Sequence, residues 1–298
     1  MATYQGQRYI DEQLRSIEAQ SWADIDIWAS DDGSTDGTVA TLGCWAAGWK
    51  RGSFTVLTGR NRGFADNFRS LLINAEIDAD YVCFCDQDDI WLPDKTRAAA
   101  QVLARSGSRP ALYCARTIII DEAGRELDRS PLFRRKPEFA NALVQSIGGG
   151  NTMVMNRAAH RLVREAARRT GFVSHDWFSY LMVTGAGGDV TYSETPHVRY
   201  RQHPRNLVGS NNGLRARAER LFAAFGGRFS RWNESNLAGL AACADLLTPA
   251  AAETVEIFRS ARSGPRLGRL RSLRRSGVYR QTMIGQLSLY AAGLLGKL

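Results

Sequence analysis

The chain has 298 residues, 44% of them apolar and 23% charged, which excludes a disordered or fibrous protein and is long enough to bury a full core. Its net charge of +9 is unevenly placed: residues 1–150 carry 17 basic against 21 acidic side chains, and residues 151–298 carry 22 against 9. An acidic half joined to a basic half points to two tasks, holding cations and facing something anionic. Five cysteines (Cys44, Cys83, Cys85, Cys114, Cys243) have no paired spacing, which argues against a disulfide framework or a zinc site and for a reducing compartment.

Ile10, Leu14 and Ile17 recur at i, i+4, i+7 and predict a helix from about Gln7 to Gln20. Ile25–Ala29 reads as a strand, followed by loop and cap chemistry over Ser30–Gly37. Phe54–Leu57 is a second strand, 59–63 a loop, and Phe64, Phe68, Leu71 and Leu72 the next helical face. Tyr81–Cys85 reads as a buried strand stopped by Asp86-Gln87-Asp88-Asp89, and Pro93 suits the first turn of another helix. Strands alternating with helices imply an α/β protein with a doubly wound, mostly parallel sheet, whose ligands gather beyond the carboxyl ends of the strands. The acidic clusters at 31–36 and 86–89 both fall there. After Ala111 the pattern is mixed: a hairpin near Asp121–Gly124, a glycine run at 148–150, and strands near 190 and 198. From Arg205 on, arginine-rich connectors separate expected helices at 216–225, 237–247, 251–261 and 279–295.

Five stretches carry candidate chemistry. The Asp86–Asp89 carboxylates repel one another unless a cation neutralises them, and hard oxygen donors suit Mg²⁺ or Mn²⁺; the alternative is a solvated acidic turn. An Asp within Ser30–Asp36 either caps a helix or accepts hydrogen bonds from a nucleobase or ribose. Asp176, between His175 and Trp177, is either a general base beside an aromatic or an N-cap. Gly148–Asn151 either admits a ligand close to the backbone or is a flexible turn. Near Tyr200–His203, Arg201 could neutralise a leaving phosphate and His203 could ligate the metal, although a lone His is more often structural.

Together these residues resemble family 2 glycosyltransferases, inverting enzymes with the GT-A fold, and within them the bacterial rhamnosyltransferase-like branch, over Met1 to about Gly209. Met1–Gly6 is similar to the family's nucleotide-binding opening, Ser30–Thr38 to its uridine- or thymidine-facing loop, and Arg60–Asn67 to the next sugar-nucleotide loop. The most specific stretch, Cys85-Asp86-Gln-Asp88-Asp89-Ile-Trp91-Leu-Pro-Asp-Lys95, resembles the D-x-D block of that branch. Tyr200–His203 stands in place of a Gln-x-x-Arg-Trp motif, and Gln5 where Asn is commoner. The resemblance implies a metal on Asp86 and Asp88, with His203 a further candidate ligand, and Asp176 as catalytic base. Thr3, Tyr4, Asp31, Asp32, Asp66 and Asn67 would hold base and ribose, with Arg201, Gly149, Asn151 and Trp177 near the diphosphate or acceptor. The donor implied is a dTDP- or UDP-sugar, dTDP-rhamnose in particular, and the acceptor a saccharide, free or lipid-linked, in surface polysaccharide synthesis.

The expected organisation is a catalytic domain over 1–204, with a nucleotide-sugar half (1–110) and an acceptor half (111–204), and a basic helical region over 205–298. Two other readings compete. The basic C-terminal third could hold nucleic acid, but it lacks interleaved exposed aromatics and any nucleic-acid motif, so no nucleic-acid partner is expected. A nucleotidyltransferase would need a basic loop at Thr3–Gly6, where there is none. The uncharged run at 281–296 is shorter and more polar than a bilayer span, and no signal-peptide pattern opens the chain. A cytoplasmic protein is therefore expected, with its basic tail either touching an anionic inner membrane face or packed on the catalytic domain. Met1 stands where the first, central strand should be ending. The expectation is that this strand is truncated and the sequence starts at an internal Met of a longer protein.

Overall fold

A computed structural model describes residues 1–204 and 227–298; the helix expected at 216–225 lies outside them. The first half alternates strand and helix: β1 (Ala2–Thr3), α1 (Ile10–Glu18), β2 (Ile27–Asp31), α2 (Thr38–Gly48), β3 (Phe54–Thr58), α3 (Phe64–Ile73) and β4 (Tyr81–Cys83). β1, β2 and β3 form a wholly parallel sheet in that order. β1 is two residues long and lies between β2 and the chain after β4: Ser30 N–H donates to Met1 O at 2.9 Å, and Ala2 N–H to Cys85 O at 3.2 Å. Ile10, Leu14 and Ile17 of α1 are buried and pack with Ile27, Ala29, Leu42 and Trp91, the stripe that their spacing predicted.

Next come β5 (Ile90–Trp91), α4 (Lys95–Leu103), β6 (Ala111–Ala115), β7 (Ile118–Ile120), β8 (Glu126–Arg129), α5 (Phe139–Ala142), β9 (Val154–Asn156), α6 (Arg157–Arg169), α7 (His175–Gly185), β10 (Asp189–Ser193) and β11 (Val198–Arg201). They build two mixed sheets, β10-β6-β9-β4 and β5-β11-β7-β8. Pro93 precedes α4 rather than opening it, because Asp94 occupies the N-cap position. The described C-terminal helices are α8 (Arg228–Ala242), α9 (Pro249–Ser263), α10 (Arg266–Arg275) and α11 (Met283–Leu295). Thr248 and Thr282 cap α9 and α11 by accepting from Ala251 N–H and Gly285 N–H. Leu237, Phe258 and Leu289 of these helices share one apolar cluster with Val163 of α6 and Leu181 of α7. The basic region thus packs on α6 and α7 through a common core. No helix among the described residues is long and apolar enough to cross a membrane.

Candidate active site

Loops at the carboxyl ends of β1, β2, β3 and β4 meet on one side of the first sheet. Asp31, the last residue of β2, is 4% exposed. It accepts from Thr3 Oγ1 at 2.9 Å, Ser34 Oγ at 2.6 Å, and the N–H groups of Gly33 and Ser34 at 3.2 and 2.8 Å. Asp32 reaches to the next loop, accepting from Arg62 N–H at 3.3 Å and Gly63 N–H at 2.7 Å. Both carboxylates therefore order the loops that would face a nucleotide. Asn67 donates to Ser30 O at 2.8 Å, and its own buried side-chain oxygen has no partner. Asp66 is partly exposed in the first turn of α3. Tyr4 exposes its ring, while its backbone is held at both ends by Gln87, whose Oε1 accepts from Tyr4 N–H at 2.8 Å and whose Nε2 donates to Tyr4 O at 2.9 Å. Gly6 makes room for this clasp: a Cβ there would stand 2.2 Å from Gln87 Oε1. Gln5 takes a left-handed φ of 51°, a conformation that Asn tolerates better than Gln. Its N–H is fixed by Ser34 Oγ at 2.8 Å.

The acidic loop divides into two roles. Asp86 is partly exposed, yet its carboxyl is pushed up to about 7, first by burial and then by the charges of Asp88 and Asp176. Asp88 Oδ2 lies 2.9 Å from His203 Nε2, and the His203 ring stacks on Tyr9 at 5.2 Å. Asp89, in contrast, is 1% exposed and acts as an anchor. It accepts from Asn151 Nδ2 at 2.6 Å and from Arg201 N–H at 3.1 Å, tying the glycine run and β11 to the loop. Arg201 is 2% exposed. Its guanidinium pairs with Glu12 and donates to Asp88 O at 3.0 Å and Glu122 O at 2.8 Å, above the Tyr9 ring. Arg201 and Asn151 are thus both taken up in contacts inside the protein.

As they stand, no three His, Cys, Asp or Glu side chains among the described residues are gathered to hold a metal ion, so Asp86 does not join Asp88 and His203 in a ready-made set. The donor chemistry nevertheless fits a divalent cation. Two crowded carboxyls, one of them held partly protonated by its surroundings, are relieved by a positive charge. Mg²⁺ commonly takes only one or two protein carboxylates and completes its shell with water and substrate phosphate.

On the acceptor side, Gly150–Thr152 forms a tight 3-10 turn against α7. Ser174 occupies the N-cap position of α7, so Asp176 lies in its first turn and is not the cap. Its Oδ1 accepts from Trp177 N–H at 2.7 Å, it is partly exposed, and its charge acts on Asp86. Asp86 of the acidic loop and Asp176 therefore stand within electrostatic reach of each other. His175 is buried, stacked on Phe68 at 3.7 Å and edge-on to Phe84 at 4.5 Å. Neither ring nitrogen has a partner, and burial holds the imidazole neutral, its pKa down to about 4. Gly149 N-caps the 3-10 turn without presenting a side chain. Trp177 faces the core, 5% exposed, with Nε1 donating to Ala142 O at 2.6 Å. Sequence reasoning missed the Gln87 clasp and the Asp89 anchor; their partners lie 62 to 112 residues away along the chain, and no local pattern signals them.

Residues 1–164 match the family model described as glycosyl transferase family 2. The chain is 30% identical over 231 residues to a dTDP-rhamnosyl transferase, RfbG, of Shigella flexneri, covering 74% of this chain and 78% of that protein. An uncharacterized protein of Mycobacterium tuberculosis is 25% identical over 69% of this chain, which spans 58% of its length. Among solved structures, S. aureus TarS 1-349 in complex with UDP-GlcNAc superposes with a TM-score of 0.54 at 15% identity, covering 99% of this chain and 89% of that one. That likeness supports the GT-A fold. On the matched sequence and the matched fold, the chain belongs to glycosyl transferase family 2 and is a glycosyltransferase.

Proposed function

We propose that the protein is a metal-dependent, inverting transferase that moves a sugar from a nucleoside diphosphate donor to a saccharide hydroxyl. One observation carries this reading: the charges of Asp88 and of Asp176, from two distant segments, both bear on the carboxyl of Asp86. Asp86 and Asp88, with His203 against Asp88, would hold Mg²⁺ or Mn²⁺, which when bound offsets charge on the departing diphosphate. Asp176 would accept the proton of the attacking hydroxyl. The loops ordered by Thr3, Asp31 and Asp32, with Tyr4, Asp66 and Asn67 beside them, would hold base and ribose. The likeness to a dTDP-rhamnosyl transferase supports dTDP-rhamnose as donor, with UDP-sugars next because TarS was solved with one.

The same reading makes the acceptor lipid-linked, in surface polysaccharide synthesis, and places the enzyme in the cytoplasm against the inner membrane face. In its support, the sequence after Glu256 has nine Arg and Lys and no Asp or Glu. The nucleotidyltransferase and nucleic-acid-binding alternatives are dropped on the family match. The test is incubation with a panel of nucleotide sugars, with Mn²⁺ or with EDTA, while following nucleoside diphosphate release. Release that EDTA does not touch sinks the metal assignment, and release from no dTDP- or UDP-sugar sinks the donor class.

A further inference from the structure

A cavity of about 300 Å³ opens where the C-terminal helices meet the acceptor half. Among the described residues its lining includes Arg135, Arg274, Tyr279, Gln286 and Tyr290 and contains no carboxylate. Arg135 is positioned twice over. Its backbone N–H donates to Gln281 Oε1 at 3.1 Å and its carbonyl accepts from Gln281 Nε2 at 3.0 Å. Its guanidinium lies 3.6 Å above the centre of the Tyr279 ring. Arg274 approaches from α10, 5.9 Å from the Tyr290 ring of α11. Both arginines are exposed, and neither has an ion-pair partner among the described residues. The nearest acid acting on Tyr279, Glu138, lies 4.0 Å from Lys136. Gln286 lines the cavity with its Oε1 taken by Arg280 N–H at 2.8 Å, which leaves its NH₂ as the donor this side chain offers. Two guanidinium forks, a phenol and an amide around a concave space suit a phosphate or diphosphate group.

The surroundings say where such a group would come from. Six large apolar side chains are exposed on the two helices beside the cavity: Leu267 on α10, and Met283, Ile284, Leu287, Leu294 and Leu295 on α11. Those on α11 fall at i, i+1, i+4, i+11 and i+12, one face of a helix. Arg266, Arg271 and Arg275 are exposed on the neighbouring α10. An apolar face rimmed by arginine is the pattern of a helix lying in the headgroup layer of an anionic bilayer.

We propose that this cavity binds the phosphate or diphosphate headgroup of a membrane lipid while the exposed face of α11 rests in the interface. The proposal relies on the membrane contact of the functional reading, and adds a headgroup site that reading does not contain. Residues 279–281 pack on 135–145, the segment that leads into the glycine run beside Asp176. A lipid held there is tethered on the acceptor side of the enzyme.

Flotation of the full chain tests this, using phosphatidylcholine vesicles doped with phosphatidic acid or with phosphatidylglycerol at matched zeta potential. Charge-assisted contacts to a seated phosphomonoester should favour phosphatidic acid by roughly tenfold or more. The R135Q/R274Q pair should bring that ratio to about one. The control pair R266Q/R271Q should weaken binding to both lipids, by about fivefold for each arginine, and keep the ratio. Leu287→Ser should weaken both alike. Wild-type binding to both lipids without preference, or a preference surviving R135Q/R274Q, overturns the headgroup site while leaving the membrane contact standing. Binding to neither vesicle overturns both, as does a melting shift with inorganic phosphate when no vesicle is bound. Nucleoside diphosphate release is measured separately, so a failure of the transferase reading registers independently.

Discussion

Replacing Gly150 with Ala probes the junction between the glycine run and the proposed base, Asp176. The new methyl would stand 1.9 Å from His175 Nε2, where ordinary contact begins at 3.4 Å, a shortfall of 1.5 Å. Neither side has room to give. The imidazole is pinned between Phe68 and Phe84, and the turn is held by the 2.6 Å bond from Asn151 to Asp89 and by Thr152 Oγ1 on Gly149 O at 2.9 Å. Overpacking a closed site costs ~1–3 kcal/mol, and with both partners fixed the upper end applies. A chain of this size should then melt about 5–10 °C lower. Because His175 precedes Asp176, the displacement reaches the proposed base, and a shift of ~1 Å there lowers kcat by roughly 10²-fold. Thermal melts and steady-state turnover read the two effects. Adding His175→Ala to G150A removes the ring that is struck, so the pair should cost less than the sum of the singles by ~2–3 kcal/mol. A G150A variant within ~0.5 kcal/mol of wild type, or strictly additive singles, would refute the contact as described.

Asp88→Asn should abolish Mn²⁺-dependent release while the melting temperature holds, because the carboxylate lies on a loop and, among the described residues, has His203 as its hydrogen-bond partner; full activity with normal melting would falsify the metal role. Asp176→Asn should leave donor affinity intact and lower turnover by roughly 10²–10⁴; isothermal titration with the nucleotide shows whether affinity falls instead. Gly6→Ala should break the Gln87 clasp and weaken nucleotide binding, with ~1–2 kcal/mol lost for two partly solvated hydrogen bonds, and should cost almost nothing further once Gln87 is already Ala. His160 and His175 are both buried and held down to about 4 from an ordinary 6.5. The unfolded chain therefore binds their protons first, and stability should fall as pH drops from about 6.5 to 4. Each contributes up to about 3 kcal/mol, and denaturant titrations on His160→Leu should show a shallower slope across that window.

The alternation of helix and strand up to β4 was legible because each element buries one stripe at its own period, as Ile10, Leu14 and Ile17 do. Where expectation and structure part, polar residues or punctuation decided. The strand read at Ile25–Ala29 runs instead over Ile27–Asp31, because Thr3 and the following loop satisfy Ser30 and Asp31 inside the sheet. The apolar run 237–247 is the end of α8 plus a 3-10 turn, cut short because Thr248-Pro249 starts a new helix. The stretch read as an arginine-rich connector is α10, held by Leu273 packing on α11 at Gly293, a contact invisible to periodicity. Of the site, the loops were legible as motifs. What Arg201 and Asn151 do was not, since only the fold shows that Asp89 captures both.

Arg201 fixes an order of events as well as a geometry. Its guanidinium supports the carbonyl of Asp88, 113 residues earlier, while also gripping Glu12 near the start of the chain. A ribosome adding about 5–20 residues per second needs roughly 6–23 s to travel from Asp88 to Arg201. Throughout that interval the acidic loop lacks both its guanidinium support and the backbone donor on Asp89. The loops after β1, β2 and β3 can be stitched together early from their own side chains, but the acidic loop cannot set until β11 has emerged. A nascent chain arrested before β11 should consequently present the proposed nucleotide cradle beside an acidic loop still without its anchors.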